Sequence, residues 1–138
     1  MNDETFTRAQ LNRAREFIDT CYDLPLDLDQ ISSQASFSRY HFIRLFRIAY
    51  EQTPHQYLIQ KRIEKAKDLL ASSEMSVTEV CFAVGFQSLG SFSALFHRCV
   101  GHPPKVYRAR MLAHRHPPRP FVPACFLTMF GVERSVAA

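Results

Sequence analysis

Five side chains in the stretch SRYHFIRLFR, Arg39, Tyr40, Ile43, Arg44 and Arg47, share one face of a helix, while Phe42, Leu45 and Phe46 recur at i, i+3, i+4 on the opposite face. One face wants an anion and the other wants a core. An arginine fork can bond O6 and N7 of a guanine together, a pairing worth about 1–3 kcal/mol of discrimination. A short helix with an apolar keel and an outward stripe of arginine and tyrosine suits a DNA groove.

Other chemistries find no residues to carry them. The sequence has no nucleophile elbow, phosphate loop, metal quartet or paired carboxylates, so no enzyme, cofactor or metal site is expected. Cysteines 21, 81, 99 and 125 form no C-x-x-C pair and read as reduced thiols. His114 and His116, beside prolines, read as a solvated linker. MNDETFTRAQ lacks the form of a signal peptide, and no window approaches eighteen unbroken apolar residues. The expected location is the cytoplasm, on the nucleoid and off the membrane.

Charge is unevenly spread along the 138 residues. Positions 1–34 hold seven acids and three bases; from 35 onward there are fourteen bases and six acids, with none of the acids between Glu79 and Glu133. That polarity suits a nucleic-acid partner.

The elements that must hold the arginine stripe follow from caps and breakers. Thr7-x-x-Gln10 has the form of a capping box, placing a first helix over about 7–21 that ends before Pro25. Asp27-x-x-Gln30 opens a short second helix ending near Ala35; Ser36-Phe37 turns the chain, and Ser38 caps the arginine-bearing helix, which stops near Ala49. Helix, tight turn, helix is a DNA-binding unit. Thr53-Pro54-x-Gln56 starts a rod of nineteen residues, about 28 Å long. Ile59, Ile63, Ala66 and Leu70 face its core side, with Lys61, Arg62, Lys65 and Lys67 decorating the remainder. Ser76-x-x-Glu79 opens another short helix, and Gly85 turns the chain again.

The sequence then repeats itself. Ile31, Ala35 and Phe37 return 49 residues later as Val80, Val84 and Phe86, and Phe42, Leu45, Phe46, Pro54 and Tyr57 return 50 residues later as Phe92, Leu95, Phe96, Pro104 and Tyr107. Two helix-turn-helix units joined by a long helix are expected. Their separation suits sites roughly one turn of duplex, 34–36 Å, apart, so a monomer could read an asymmetric site.

RIEKAKDLL, SVTEVCFAVGF, FSALF and the closing GHPPKVYR together resemble the DNA-binding domain of the AraC/XylS family of bacterial transcription regulators, over about residues 26–108. The resemblance implies an all-α fold of about seven helices: a first helix-turn-helix subdomain over 1–52, a linker helix over 53–75 and a second subdomain over 76–108. It also implies a regulator of the short stand-alone type, its sign of regulation left open, that binds double-stranded promoter DNA as a monomer and contacts RNA polymerase. Matched by position, Tyr40, Ile43 and Arg44 take the base-facing places, Arg39 and Arg47 suit phosphate, and His41 is a capping or packing residue.

The second unit carries a different face. The stripe of Arg39, Tyr40, Ile43, Arg44 and Arg47 becomes Leu89, Gly90, Ser93, Ala94 and His97, where the family commonly has a basic residue at Ala94 and a polar one at Gly90. The first unit is therefore expected to read sequence, and the second to anchor phosphates through Ser88, Ser91, Arg98 and Lys105, with Ser93 and His97 on the DNA-facing surface. Ser36 and Glu51 stand where the second unit has Gly85 and Gly101; positive φ there would cost roughly 1 kcal/mol each. The tail, 109–138, is basic and proline-rich, expected to be extended, then apolar in FVPACFLTMF, a segment for docking on its own domain or for self-association. The rival reading is a helical protein- or RNA-interaction module.

Overall fold

The structure, a computed structural model, describes residues 3–115. In order come α1 (Asp3–Cys21), α2 (Leu28–Gln34), α3 (Arg39–Tyr50), α4 (Pro54–Ser72), α5 (Val77–Ala83), α6 (Leu89–Val100) and α7 (Pro104–Arg115), with no strand among the described residues. Three of the four expected capping boxes start helices. Asp27 accepts from the Gln30 N–H at 2.7 Å while the Gln30 side chain accepts from the Asp27 N–H at 3.0 Å. Thr53 with Gln56 and Ser76 with Glu79 repeat that reciprocal pattern, Pro54 occupying the first helical position after Thr53. Thr7 and Gln10 do not cap a helix, because α1 already begins at Asp3. Asp3 and Glu4 in its first turn complement the positive end of the helix dipole, and no residue before Thr7 breaks the helix.

Two cores form. Leu11, Ala14 and Ile18 of α1 pack with Ile31, Ala35, Phe42, Phe46 and Leu58. Ile63, Ala66 and Leu70 pack with Val80, Cys81, Val84, Phe86, Phe92 and Phe96. The repeat is thus spatial as well as sequential: Phe42–Phe46 and Phe92–Phe96 have ring centroids 5.5 and 5.7 Å apart, Phe46–Tyr57 and Phe96–Tyr107 5.8 and 5.5 Å apart. It also extends further than the helix-turn-helix residues. Leu11, Ala14 and Ile18 correspond to Ile63, Ala66 and Leu70, so the second half of α4 is to the second unit what α1 is to the first. α4 is a wall of both cores, giving Leu58 to one and Ile63, Ala66 and Leu70 to the other.

The four turn positions share one backbone conformation. Ser36 and Glu51 have φ of 58° and 59°, Gly85 and Gly101 of 100° and 96°. The Glu51 and Gly101 N–H groups donate to Arg47 O and His97 O at 2.9 and 2.8 Å, closing α3 and α6 alike.

Arg62 is not a surface decoration. It is 9% exposed, donating from Nε to Tyr22 O at 2.7 Å and from a terminal nitrogen to Leu24 O at 2.8 Å. Its position falls on the core stripe Leu58, Arg62, Ala66, Leu70, and the carbonyls of the α1–α2 connection solvate the charge there. Arg108 binds the α4–α5 connection similarly, through Leu70 O at 3.1 Å, Ser73 O at 3.4 Å and Met75 O. Residues 109–115 are not extended but complete α7, since RARMLAHR holds no breaker before the prolines. The apolar segment FVPACFLTMF and His116 lie outside the described residues.

Candidate nucleic-acid interface

α3 is held by its keel. Phe42 and Phe46 are fully buried, which leaves the opposite face in solvent. Tyr40 is 87% exposed and Ile48 69%, and with half-buried Ile43 and exposed Arg44 and Arg47 they line a shallow concavity. Among the described residues neither Arg44 nor Arg47 takes part in an ion pair, so both guanidinium groups are free to meet an anion. Arg39 differs: its Nε lies 3.4 Å from Asp29 of α2, both side chains largely exposed. Such an exposed pair is worth at most about 1 kcal/mol, little enough to be exchanged for another anion. Ser38 starts the helix without a side-chain capping bond, leaving its hydroxyl unengaged, and His41 stands edge-on to Phe37 with ring centroids 5.2 Å apart.

α6 has the same mounting with a different face. Residues 41–50 and 91–100 alternate buried, half-buried and exposed positions identically. Ser93 accordingly takes the half-buried place of Ile43, and Ala94 and His97 the exposed places of Arg44 and Arg47. Leu89 and Gly90 begin an exposed surface without a cation in its first two turns. The Ser88 hydroxyl accepts the Ser91 N–H at 3.2 Å, so it caps α6 and keeps only its own proton for an outside partner.

The expected anchoring residues Ser88, Ser91 and Arg98 line two neighbouring concavities that share His55, Ile59 and Leu95: Ser88 and Ser91 stand in one beside Gln87, and Arg98 in the other beside Gln56, Gln60, Glu64 and Lys67. Lys105 is exposed in the first turn of α7. His55 and Gln87 were not legible as part of this surface; proximity to Pro54 and to the α6 cap was the only signal. Arg62 also borders the concavity that holds Ser88 and Ser91. Burial pushes its pKa down, with nearby Asp23 pulling the other way. Among the described residues there is no cluster of three or more His, Cys, Asp or Glu side chains able to hold a metal, and no helix long and apolar enough to cross a membrane.

Known proteins share this architecture. The chain is 31% identical to the DNA-binding domain of AdpA, solved in complex with a target DNA, with a TM-score of 0.72 over 78% of this chain and 96% of that one. An AraC-type regulator from Chromobacterium violaceum matches at 25% identity and a TM-score of 0.71, over 80% and 96% of the two chains. Among curated proteins, the regulatory protein SoxS of Escherichia coli K12 is 30% identical over 69% of this chain and 89% of its own length. The MmsAB operon regulatory protein of Pseudomonas aeruginosa is 35% identical over 62% of this chain, which spans only 28% of that longer relative. The model of a helix-turn-helix domain family matches residues 31–110. With two matched helix-turn-helix units, one shared helix and these relatives, the chain belongs to the AraC/XylS family of DNA-binding transcription regulators.

Proposed function

We propose that the chain binds a promoter as a monomer, setting α3 and α6 in successive major grooves with unequal tasks. Tyr40, Ile43 and Arg44 read bases; Ser38, Arg39 and Arg47 hold phosphates around them. Ser88, Ser91, Arg98 and Lys105 anchor the second half-site, with Ser93 and His97 on the helix face turned to DNA. The observation that carries this reading is the matched burial of α3 and α6 under mismatched outer faces: equal mounting, but arginines on one and Ala94 and Gly90 on the other. Half or more of protein–DNA hydrogen bonds ordinarily go to phosphate and sugar, so a bare α6 can anchor without specifying. Contact with RNA polymerase, activation of transcription and residence on the nucleoid belong to the same proposal.

Selection of bound duplexes from a random pool, followed by a base-by-base scan of the recovered site, tests it. Strong preferences should cluster under one half-site. Equal preferences under both would overturn the division of labour, and no duplex binding above background would overturn the whole reading in favour of a protein or RNA partner. Titration at several salt concentrations should show log K falling with log salt by roughly 0.9 per phosphate contact.

A further inference from the structure

α4 alone does not determine how the two units sit, because a second contact bridges them. The α1–α2 connection of the first unit lies against the turn of the second. A Cβ added at Gly85 would stand 2.6 Å from Tyr22 O, 3.1 Å from the Asp23 carbonyl carbon and 3.0 Å from Arg62 Nε. Arg62 occupies the centre of that junction. Its fork grips Tyr22 O and Leu24 O, and its guanidinium carbon lies 5.8 Å from the centroid of the Phe86 ring. Tyr22 packs against both cores. The chain distances to the readers are short: Leu24 precedes the α2 cap Asp27 by three residues, and Phe86 precedes the α6 cap Ser88 by two.

We propose that Arg62 is a positioning residue for recognition: its two-pronged grip fixes the separation and twist between α3 and α6, and so the half-site spacing the protein accepts. The inference rests on the reading that both units engage DNA. Two features favour a geometric role over mere stability. The side chain crosses from one unit to the other, and it spends a buried charge on loop carbonyls where an aliphatic residue would fill the stripe Leu58, Ala66, Leu70. A fork is also the group that resists rotation, since two bonds to two separate carbonyls define an orientation and a single bond does not.

The test compares the wild type with Arg62→Met and Arg62→Lys on two duplexes, the selected site and the same site with one base pair inserted between its halves. The insertion turns the second half by roughly 35° and moves it about 3.4 Å. The wild type should lose about tenfold or more in affinity, Arg62→Met should reduce that ratio at least about threefold, and Arg62→Lys, which keeps the charge without the fork, should lie between. Helix content by circular dichroism establishes which variants fold. If Arg62→Met folds and keeps the wild-type ratio, or Arg62→Lys does so where Arg62→Met does not fold, the inference is overturned. If the wild type itself ignores the insertion, the reading by two units fails instead, and that outcome is distinct from the other.

Discussion

Among the described residues Arg44 takes part in no ion pair, and on the proposed reading its removal separates base reading from phosphate attraction. Arg44→Ala should cost about 1–3 kcal/mol on the selected site and flatten the preference at one or two positions, while the salt slope falls by no more than about 1. Competition binding with single-base variants measures both. The turns offer a second comparison at this scale. Gly101 has φ of 96° and a Cβ there would meet nothing within 4 Å, so Gly101→Ala carries only the backbone penalty, about 1 kcal/mol. Gly85→Ala adds a collision with Tyr22 O and should lower the urea midpoint far more. Glu51→Gly, relieving the left-handed glutamate, should gain about 0.5–1 kcal/mol in the same unfolding experiment. The alignment of Ser36 and Glu51 with the two glycines left two outcomes open, strained positive φ or different turns, and the strained one holds because turn geometry is local and recurs with the repeat. The buried grip of Arg62 was not foretold. Its i, i+4 place on the apolar stripe was visible, but the carbonyls that satisfy it lie about 40 positions away, on a loop that only the tertiary fold brings near.

Helix periodicity and caps made the starts of α2, α3, α4 and α5 readable, since each depends on a few adjacent residues, while α6 and α7 came only from the repeat. α1 was the exception: acidic residues at its true start competed with an attractive box at Thr7 that lies inside the helix. α7 runs further than its family motif, through Arg115, because residues 109–115 hold no helix breaker. The comparison of α3 with α6 yields a prediction for whole elements. A Cβ at Gly90 would meet only Ser88 Oγ, at 3.9 Å, and Ala94 is exposed, so both positions accept side chains without repacking. The double variant Gly90→Gln, Ala94→Arg should create new base preferences under the second half-site and should not lower stability, as glycine is the poorer helix former by about 1 kcal/mol. A scan of the site bound by the variant decides. Unchanged flat preferences there would mean that α6 does not face the bases.

Across the molecule, three tyrosines tie the helices together. Tyr57 donates to Asp19 of α1 at 2.6 Å, and Tyr50 donates to Asn12 at 2.5 Å. Burial raises the pKa of Tyr57 above its ordinary 10.0, and the Asp19 hydrogen bond and charge raise it further. Burial likewise raises Tyr50 and, with Asp68, Tyr107. A raised pKa in the folded state means that the unfolded chain loses its proton first. Stability from these groups is therefore full below about pH 10 and drains away as the pH climbs through and beyond that value. Burial raises the Cys81 thiol from its ordinary 9.0 as well, so the urea midpoint should hold steady from neutral pH to about 9, begin to fall there and fall more steeply beyond about 10; in Tyr57→Phe it should start lower by about 1 kcal/mol of stability and fall less steeply past about 10. The two-unit plan was legible because its apolar residues recur at fixed offsets, whereas the sharing of α4 between both cores was not, since Leu11, Ala14 and Ile18 repeat at another offset in Ile63, Ala66 and Leu70. That shared helix has a consequence for synthesis on the ribosome. Once Ser72 has emerged the first unit can close around Leu58, but the nascent chain then displays Ile63, Ala66 and Leu70 as a bare apolar rail until α5, α6 and α7 follow. A chain that stalls in that interval is sticky, and a gene fragment ending there should yield aggregate in place of a half-sized reader.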